Sequence, residues 1–432
     1  MLCLLSAAGT QQAESQQVES RWNMARTYGY ISGDSHLEVL PSRWAPHVAA
    51  VYRDAAPKDP KPFTTADGTV VMPYGGLGGR EYPDSVEIGP NVGDRPGMGS
   101  PEQRVGELDT DGLDAEILFS GAQGPVAWRA TIKDDDAYKA VVRGYNEFLW
   151  EEYCSAAPDR LLGLGMMPVT GVDDAIAEME YCVRNGLLGV QLNAFPAGQS
   201  HPSPEDDRFW AASVDLRCPV TVHVEFNHPT VASAAHNGVS ARSYGGGLAG
   251  PTFLYAKQPE QGFLDIIQRY AKYGFRGSLH VAQMIWSGVF DRFPDFQIYF
   301  AETQVGWIPN FLEQMDQHYV RHQKAAEQLL GLPALKQLPS EYVKEHVYWG
   351  FVYNPVGVRA MHREVGVDRI MWSSDFPHAE SDWPNTANAL EESFAGIPED
   401  AKQKMLTGNA VDFFHLATAT PGTKTMSATK TA

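Results

Sequence analysis

Long apolar runs are missing from this chain. Its most apolar opening, Met1-Leu2-Cys3-Leu4-Leu5, is too short to span a bilayer and lacks the basic flank of a signal peptide. Cysteine is also scarce. The four present (Cys3, Cys154, Cys182, Cys218) have neither metal-type nor disulfide-type spacing, which argues against a disulfide scaffold or a thiolate metal site and fits a reducing cytoplasm. Positive charge is in deficit, with 34 Lys and Arg against 53 Asp and Glu, a formal net charge of −19. Such a surface disfavours nucleic acid and anionic membranes. It does not exclude an anionic substrate, because a bound metal reverses the local field.

What is present is an alternation of strand-like and helix-like stretches. Strands are expected at 28–32, 115–119, 162–167, 188–192, 219–223, 296–301, 346–351 and 369–372. Helices are expected between them, at 102–114, 134–157, 172–185, 206–215, 261–273, 278–290, 307–328 and 356–365, and after the last strand at 385–394 and 399–406. Eight strands alternating with helices predict an α/β fold with a parallel sheet, closed as a (β/α)8 TIM barrel over residues 25–416. Two stretches do not fit the rhythm, a Pro/Gly-rich 41–101 after strand one and an irregular 227–258 after strand five. Long loops of this kind usually form lids or substrate walls. Residues 1–24 are expected to be a disordered leader, upstream of an alternative start at Met24, and 417–432 a disordered tail.

Polar residues collect where such a barrel keeps its active site, at the C-terminal strand ends. Asp34 and His36 follow strand one, His223 ends strand five, Glu302 follows strand six and Asp375 follows strand eight. A carboxylate at the end of an apolar strand, in Ser373-Ser374-Asp375-Phe376-Pro377-His378, is poorly explained by packing, since buried Asp is paired or metal-bound. Asp34 and His36 are two apart and so point the same way from an extended strand. His280, near the start of a helix, faces the same rim. Imidazoles and carboxylates without thiolates suit Zn, Mn or Fe, one or two ions per chain. The alternative for each is a hydrogen-bonded polar group of the core. His280 and Glu302 are candidates for a second metal or for acid/base work. Glu38, Glu225 and His378 are candidates for supporting the ligands or touching substrate. His318, His322 and His362 read as solvated helix faces.

The ordered blocks Asp34-Ser35-His36, Arg104-Val105-Gly106-Glu107-Leu108-Asp109-Thr110-Asp111-Gly112, Gly288-Val289-Phe290-Asp291-Arg292-Phe293-Pro294, Gly306-Trp307-Ile308-Pro309, Trp372 to His378 and Gly408-Asn409-Ala410 resemble the amidohydrolase superfamily over about residues 28–415. The resemblance is to its amidohydrolase-related branch of aminocarboxymuconate semialdehyde and benzoate decarboxylases. It implies a metal held by Asp34, His36, His223 and Asp375, with water or substrate completing the shell and Asp375 able to move protons. It also implies a homodimer. Two positions depart from the pattern. The branch's decarboxylases often carry a histidine after strand six, where this chain has Glu302. Its two-metal hydrolases often carry a lysine on strand four, where this chain reads Leu188-Gly189-Val190-Gln191-Leu192.

The function expected from these residues is a metal-dependent hydrolase or non-oxidative decarboxylase of a small organic acid or ester. The metal would activate a water or polarise the substrate. The alternative on the same barrel is a non-haem diiron monooxygenase, hydroxylating an apolar, terpenoid-like acid or its thioester. A non-catalytic barrel is the third reading, disfavoured because the ligand set is intact.

Overall fold

A computed structural model describes residues 26–59, 63–64, 70–71, 95–121, 124–226, 275, 277–378 and 380–418. Eight parallel strands run in chain order around one sheet: β1 (Ile31–Leu37), β2 (Ala115–Ser120), β3 (Leu161–Met166), β4 (Gly189–Leu192), β5 (Val220–His223), β6 (Ile298–Ala301), β7 (Val347–Phe351) and β8 (Ile370–Trp372). The expected TIM barrel is therefore what forms. Most of the strands are short apolar runs buried on both faces, as helices outside and a core inside require.

The seam between β1 and β8 is closed by main-chain bonds. The Asp375 N–H donates to Asp34 O at 2.9 Å and the His36 N–H donates to Phe376 O at 2.7 Å. A trio of buried hydroxyls reinforces it, with Ser374 Oγ 3.0 Å from Ser32 Oγ and 3.1 Å from Ser35 Oγ. β1 therefore carries on through Gly33-Asp34-Ser35-His36, whereas the sequence placed its end at Ser32. The polar residues stay in the strand because, past a bulge between Ser32 and Ser35, Ser35 to Leu37 remain paired with β2, while Asp34 and His36 bond to the main chain just after β8.

The helices begin and end where local chemistry dictates. Ser100 caps the helix Pro101–Asp111 by accepting from the Gln103 N–H at 3.3 Å, and Asp134 caps Asp135–Phe148 through the Ala137 N–H at 2.8 Å. The helix expected at 134–157 continues past Phe148 as a π turn and a 3-10 turn to Ala156. Helices at Pro125–Thr131 and Pro339–His346 were not expected from the sequence. The expected helix 278–290 divides into Ser278–Trp286 and Val289–Arg292, because Gly288 takes a left-handed φ of 70° between them.

Two apolar cores result. One lies between the sheet and the helices. The other fills the barrel with Ile31, Ile117, Phe119, Leu162, Leu164, Tyr299, Tyr348 and Met371, and is floored by Phe413 and Phe414 of the helix Asn409–Phe414. This leaves the opposite, C-terminal end of the strands for chemistry. Of the stretch after β1, the short helix Pro41–Trp44, two 3-10 turns and a two-residue ladder between Phe63–Thr64 and Val70–Val71 are described. The irregular 227–258 and the expected helix 261–273 lie outside the described residues. Of the expected tail, Thr418 bridges to Arg26, and 419–432 lie outside the described residues. Among the described residues no helix is long and apolar enough to cross a membrane.

Candidate metal centre

Four of the expected residues converge at the C-terminal end of the barrel. Asp34, His36, His223 and Asp375 each offer one ligand atom, and these atoms lie within 4.8 Å of one another. Asp34 and His36 come from β1, His223 ends β5 and Asp375 follows β8 by three residues. Both oxygens of Asp34, both of Asp375, and Nε2 of His36 and of His223 are buried with no hydrogen-bond partner. Their mutual approaches are close: His36 Nε2 lies 3.4 Å from Asp34 Oδ1 and 3.2 Å from Asp375 Oδ1, and His223 Nε2 lies 3.5 Å from Asp34 Oδ2.

Left as they stand, two buried carboxylates and two unsatisfied imidazole nitrogens would cost several kcal/mol of desolvation. A divalent cation satisfies all of them at once. An oxygen and nitrogen donor set without thiolate suits Zn, Mn or Fe. The residues present therefore fit the metal.

The ring orientation is prepared for it. His36 Nδ1 sits 2.7 Å from the Ser120 carbonyl, which can only accept, so Nδ1 carries the hydrogen and Nε2 presents its lone pair to the centre. Ser120 is itself fixed, because its N–H and its hydroxyl both donate to Gln191 Oε1 on β4, at 3.2 and 3.1 Å. Gln191 lies on β4, the strand that departs from the resemblance by carrying no lysine. Its part in holding Ser120 needed the fold to be seen.

Glu302 joins the rim beside this cluster. β5 and β6 pair with His223 opposite Ala301, so the next residue, Glu302, is brought alongside the imidazole, Oε2 at 3.2 Å from His223 Nε2. Burial, with the Asp375 carboxylate adding to it, pushes the Glu302 pKa up to about 7. Burial works against a charged His223, but the Asp34, Glu302 and Asp375 carboxylates together outweigh it and the pKa is raised.

His378 and Glu38 complete a second tier. His378 stacks on His36 with ring centroids 3.8 Å apart and bridges two acids, Nε2 to Glu38 Oε1 at 3.0 Å and Nδ1 to Asp375 Oδ1 at 3.1 Å. Burial opposes both charges of the His378–Asp375 pair, and their attraction more than offsets it. His378 is raised well above the usual histidine range, and Asp375 is held well below the usual carboxylate range.

His280 stands with a different set of neighbours. It is half-buried, meets Phe226 edge-on at 5.4 Å and Phe195 at 6.1 Å, and its Nδ1 lies 3.2 Å from Gln283 Oε1. Glu225 is half-buried and its N–H turns back to His223 O at 2.8 Å. A residue that sequence reasoning missed is Tyr299, fully buried in the barrel beneath the cluster, whose hydroxyl has no partner. Its pKa is pushed well above the usual range by burial, and the Asp34 charge adds to this. A tyrosine in an apolar strand carries no signal that separates it from core packing.

Among proteins of known activity, this chain is similar to the gamma-resorcylate decarboxylase of Rhizobium sp., 26% identical over 306 residues that cover 67% of this chain and 82% of that protein. It is also similar to the 2-amino-3-carboxymuconate-6-semialdehyde decarboxylase of Dictyostelium discoideum, 22% identical over 73% of this chain and 77% of that one. Among solved structures, 5-carboxyvanillate decarboxylase from Novosphingobium aromaticivorans, complexed with manganese and 4-hydroxy-3-methoxy-5-nitrobenzoic acid, superposes with a TM-score of 0.61 at 18% identity, covering 91% of this chain and 99% of that one. The family model described as amidohydrolase matches residues 34–416, from the first expected ligand through the last described helix. With a metal-ligand cluster on the axis of an eight-stranded barrel and that match across most of its length, this chain is a member of the amidohydrolase family.

Proposed function

We propose that this protein is a divalent-metal-dependent, non-oxidative decarboxylase of a planar, conjugated carboxylic acid, working with one ion per chain. The observation that carries this reading is the convergence of Asp34, His36, His223 and Asp375, whose six buried polar atoms make no hydrogen bond. The named activities of the similar proteins supply the reaction class. A divalent ion at these residues supplies Lewis acidity toward a substrate oxygen.

The chain's own residues account for the rest. In the overall change the carbon–carboxylate bond breaks, CO2 leaves, and the carbon takes up one proton. Glu302 is the residue we assign to hold that proton, since burial raises its pKa to about 7 and about half of it is still protonated at neutral pH. It stands where the branch's decarboxylases often have a histidine, so a neutral acid here does the work of an imidazolium. His378, between Glu38 and Asp375, keeps Asp375 ionised and oriented. Phe195 and Phe226, with ring centroids 4.2 Å apart beside His280, offer an apolar wall suited to a planar substrate. A homodimer in the cytoplasm is part of the same proposal, checked by light scattering and cell fractionation.

The deciding experiment is elemental analysis of protein purified without added metal or chelator, paired with CO2 release from a panel of hydroxylated benzoates. About one manganese or zinc per chain with CO2 release supports the proposal. Ester or amide hydrolysis without CO2 release makes the protein a hydrolase. About two irons per chain with O2 consumption replaces it by the monooxygenase reading, with His280 and Glu302 as ligands. In Glu302→Gln, an unchanged metal count with lost CO2 release supports the acid role, and a lowered count makes Glu302 a ligand.

A further inference from the structure

Arg104 lies outside the cluster of ligands, yet its guanidinium is almost completely buried. It sits on the helix Pro101–Asp111 and reaches Glu116 of β2 with two parallel bonds, Nε to Oε1 at 2.6 Å and Nη2 to Oε2 at 2.8 Å. A paired and buried arginine of this kind is commonly structural. Here the same Nη2 also donates to Phe376 O at 3.2 Å, and the guanidinium lies 4.5 Å over the Phe376 ring.

That carbonyl belongs to the residue after Asp375, and the His36 N–H also donates to it, at 2.7 Å. One backbone oxygen thus joins the turn carrying Asp375, the main chain of His36 and the Arg104–Glu116 pair. Asp375 has a left-handed φ of 51°, so the turn does not hold this shape by its own preference. Gly97 packs over the guanidinium. A Cβ there would come within 3.1 Å of Arg104 Nη1 and 2.3 Å of Pro377, in the same turn. The turn is therefore clamped from the side facing away from the metal ligands.

We infer that Arg104, braced by Glu116, is a positioning residue that fixes Asp375 and His36 for metal binding through the Phe376 carbonyl. The inference rests on the proposed metal centre. It assigns to Arg104 a role in metal affinity beyond the stability that any buried pair supports. Groups one shell out from metal ligands typically contribute 10–100-fold in affinity.

Two variants separate the roles. Replacing both partners together, Arg104→Met with Glu116→Met, removes the clamp and its ion pair, a change that is often neutral or stabilising for folding, and leaves the buried Glu107 with its Gly97 N–H and Gln103 donors. Arg104→Lys keeps the charge opposite Glu116 but loses the fork that serves Glu116 and Phe376 O at once. Manganese affinity is measured by competition with a chelating dye, and the melting temperature of the metal-free proteins is recorded alongside. The expected result is a 10–100-fold weaker affinity in both variants, with the melting temperature of the double variant at or above wild type. Wild-type affinity in either variant overturns the inference, and Arg104→Lys alone decides it where the double variant does not fold. A wild-type protein that takes up no manganese, zinc or iron instead overturns the metal centre itself, so the two failures are distinct.

Discussion

Glu302 makes a prediction about stability that needs no substrate. In the metal-free protein its pKa is raised from 4.5 to about 7, first by burial and then by the Asp375 carboxylate. An acid whose pKa is higher folded than unfolded binds its proton more tightly in the folded state. Its stabilising contribution is full below the unfolded value and is lost as pH rises through about 7. A shift of this size corresponds to about 3 kcal/mol. Gln at 302 has nearly the same shape and cannot ionise. Between pH 4.5 and 8, metal-free wild type should therefore lose about 3 kcal/mol more than Glu302→Gln. For a chain of this length that is about 5 °C in melting temperature, since a larger domain shifts by about 2 °C per kcal/mol or less. The assay is chemical and thermal unfolding of both proteins in chelator, from pH 4.5 to 8. Most other groups titrating over this range behave alike in both chains, so the difference between them reports Glu302 together with His223, whose pKa its charge raises. Parallel pH profiles for the two proteins would refute the reasoning.

The other predictions concern the ligands and their supports. An ion that binds only the folded chain should stabilise it by about 4 kcal/mol at a thousandfold excess over its dissociation constant, and chelator should remove that increment. Asp34→Asn should abolish the increment while the metal-free variant stays folded, read by unfolding with and without manganese. Gln191→Leu should weaken manganese binding by about 10-fold, because Ser120 loses the acceptor that holds it against His36. Gly350→Ala should destabilise by about 1–3 kcal/mol, since a Cβ there would lie 2.4 Å from the Tyr299 hydroxyl and 3.0 Å from Glu302 N. Tyr299→Phe, which removes a buried hydroxyl without a partner, should be neutral or stabilising alone and should recover part of the Gly350→Ala loss in chemical denaturation.

The strands were legible because each is an apolar run of the right length bounded by helix-like periodicity, and the ligands because each is a polar residue that such a run does not explain. Asp34 and His36 could be paired from their spacing alone, since an extended chain points alternate side chains the same way. His223, Glu302 and Asp375 were placed by counting strands. The supports were illegible for a different reason. Gln191 and Arg104 act through partners 71 and 272 positions away, and a local pattern carries no trace of such contacts. β1 was ended early for a related reason. Gly33 to His36 is polar and reads as a loop, and it remains in the strand because β2 pairs with Ser35 to Leu37 and because Phe376 and Asp375 across the seam share main-chain bonds with it. His280 was grouped with the rim from its place at a helix start, and the structure sets it among Phe195 and Phe226.

The backbone at the rim explains why the site residues sit where they do. Val224, Glu302 and Asp375 all have φ between 51° and 63°, at the ends of β5, β6 and β8. For a β-branched residue such as Val224 that conformation is an outlier, and each such residue costs on the order of 1–3 kcal/mol. Among the described residues, three of the six non-glycine residues with positive φ sit at the strand ends that carry His223, Glu302 and Asp375; the others are Gln304, Arg217 and His415. A left-handed residue turns the chain sharply at the strand end and so allows the polar side chains to stay over the axis. Strain of this kind persists only where neighbouring contacts over-determine it. Those contacts are visible at each position: the Val224 N–H on Ala301 O, the Thr303 N–H on Gly350 O just after Glu302, and the Asp375 N–H on Asp34 O. The barrel's hydrogen bonds and apolar floor thus hold the Asp34 and Asp375 carboxylates close together, and an ion bound between them should relieve their repulsion.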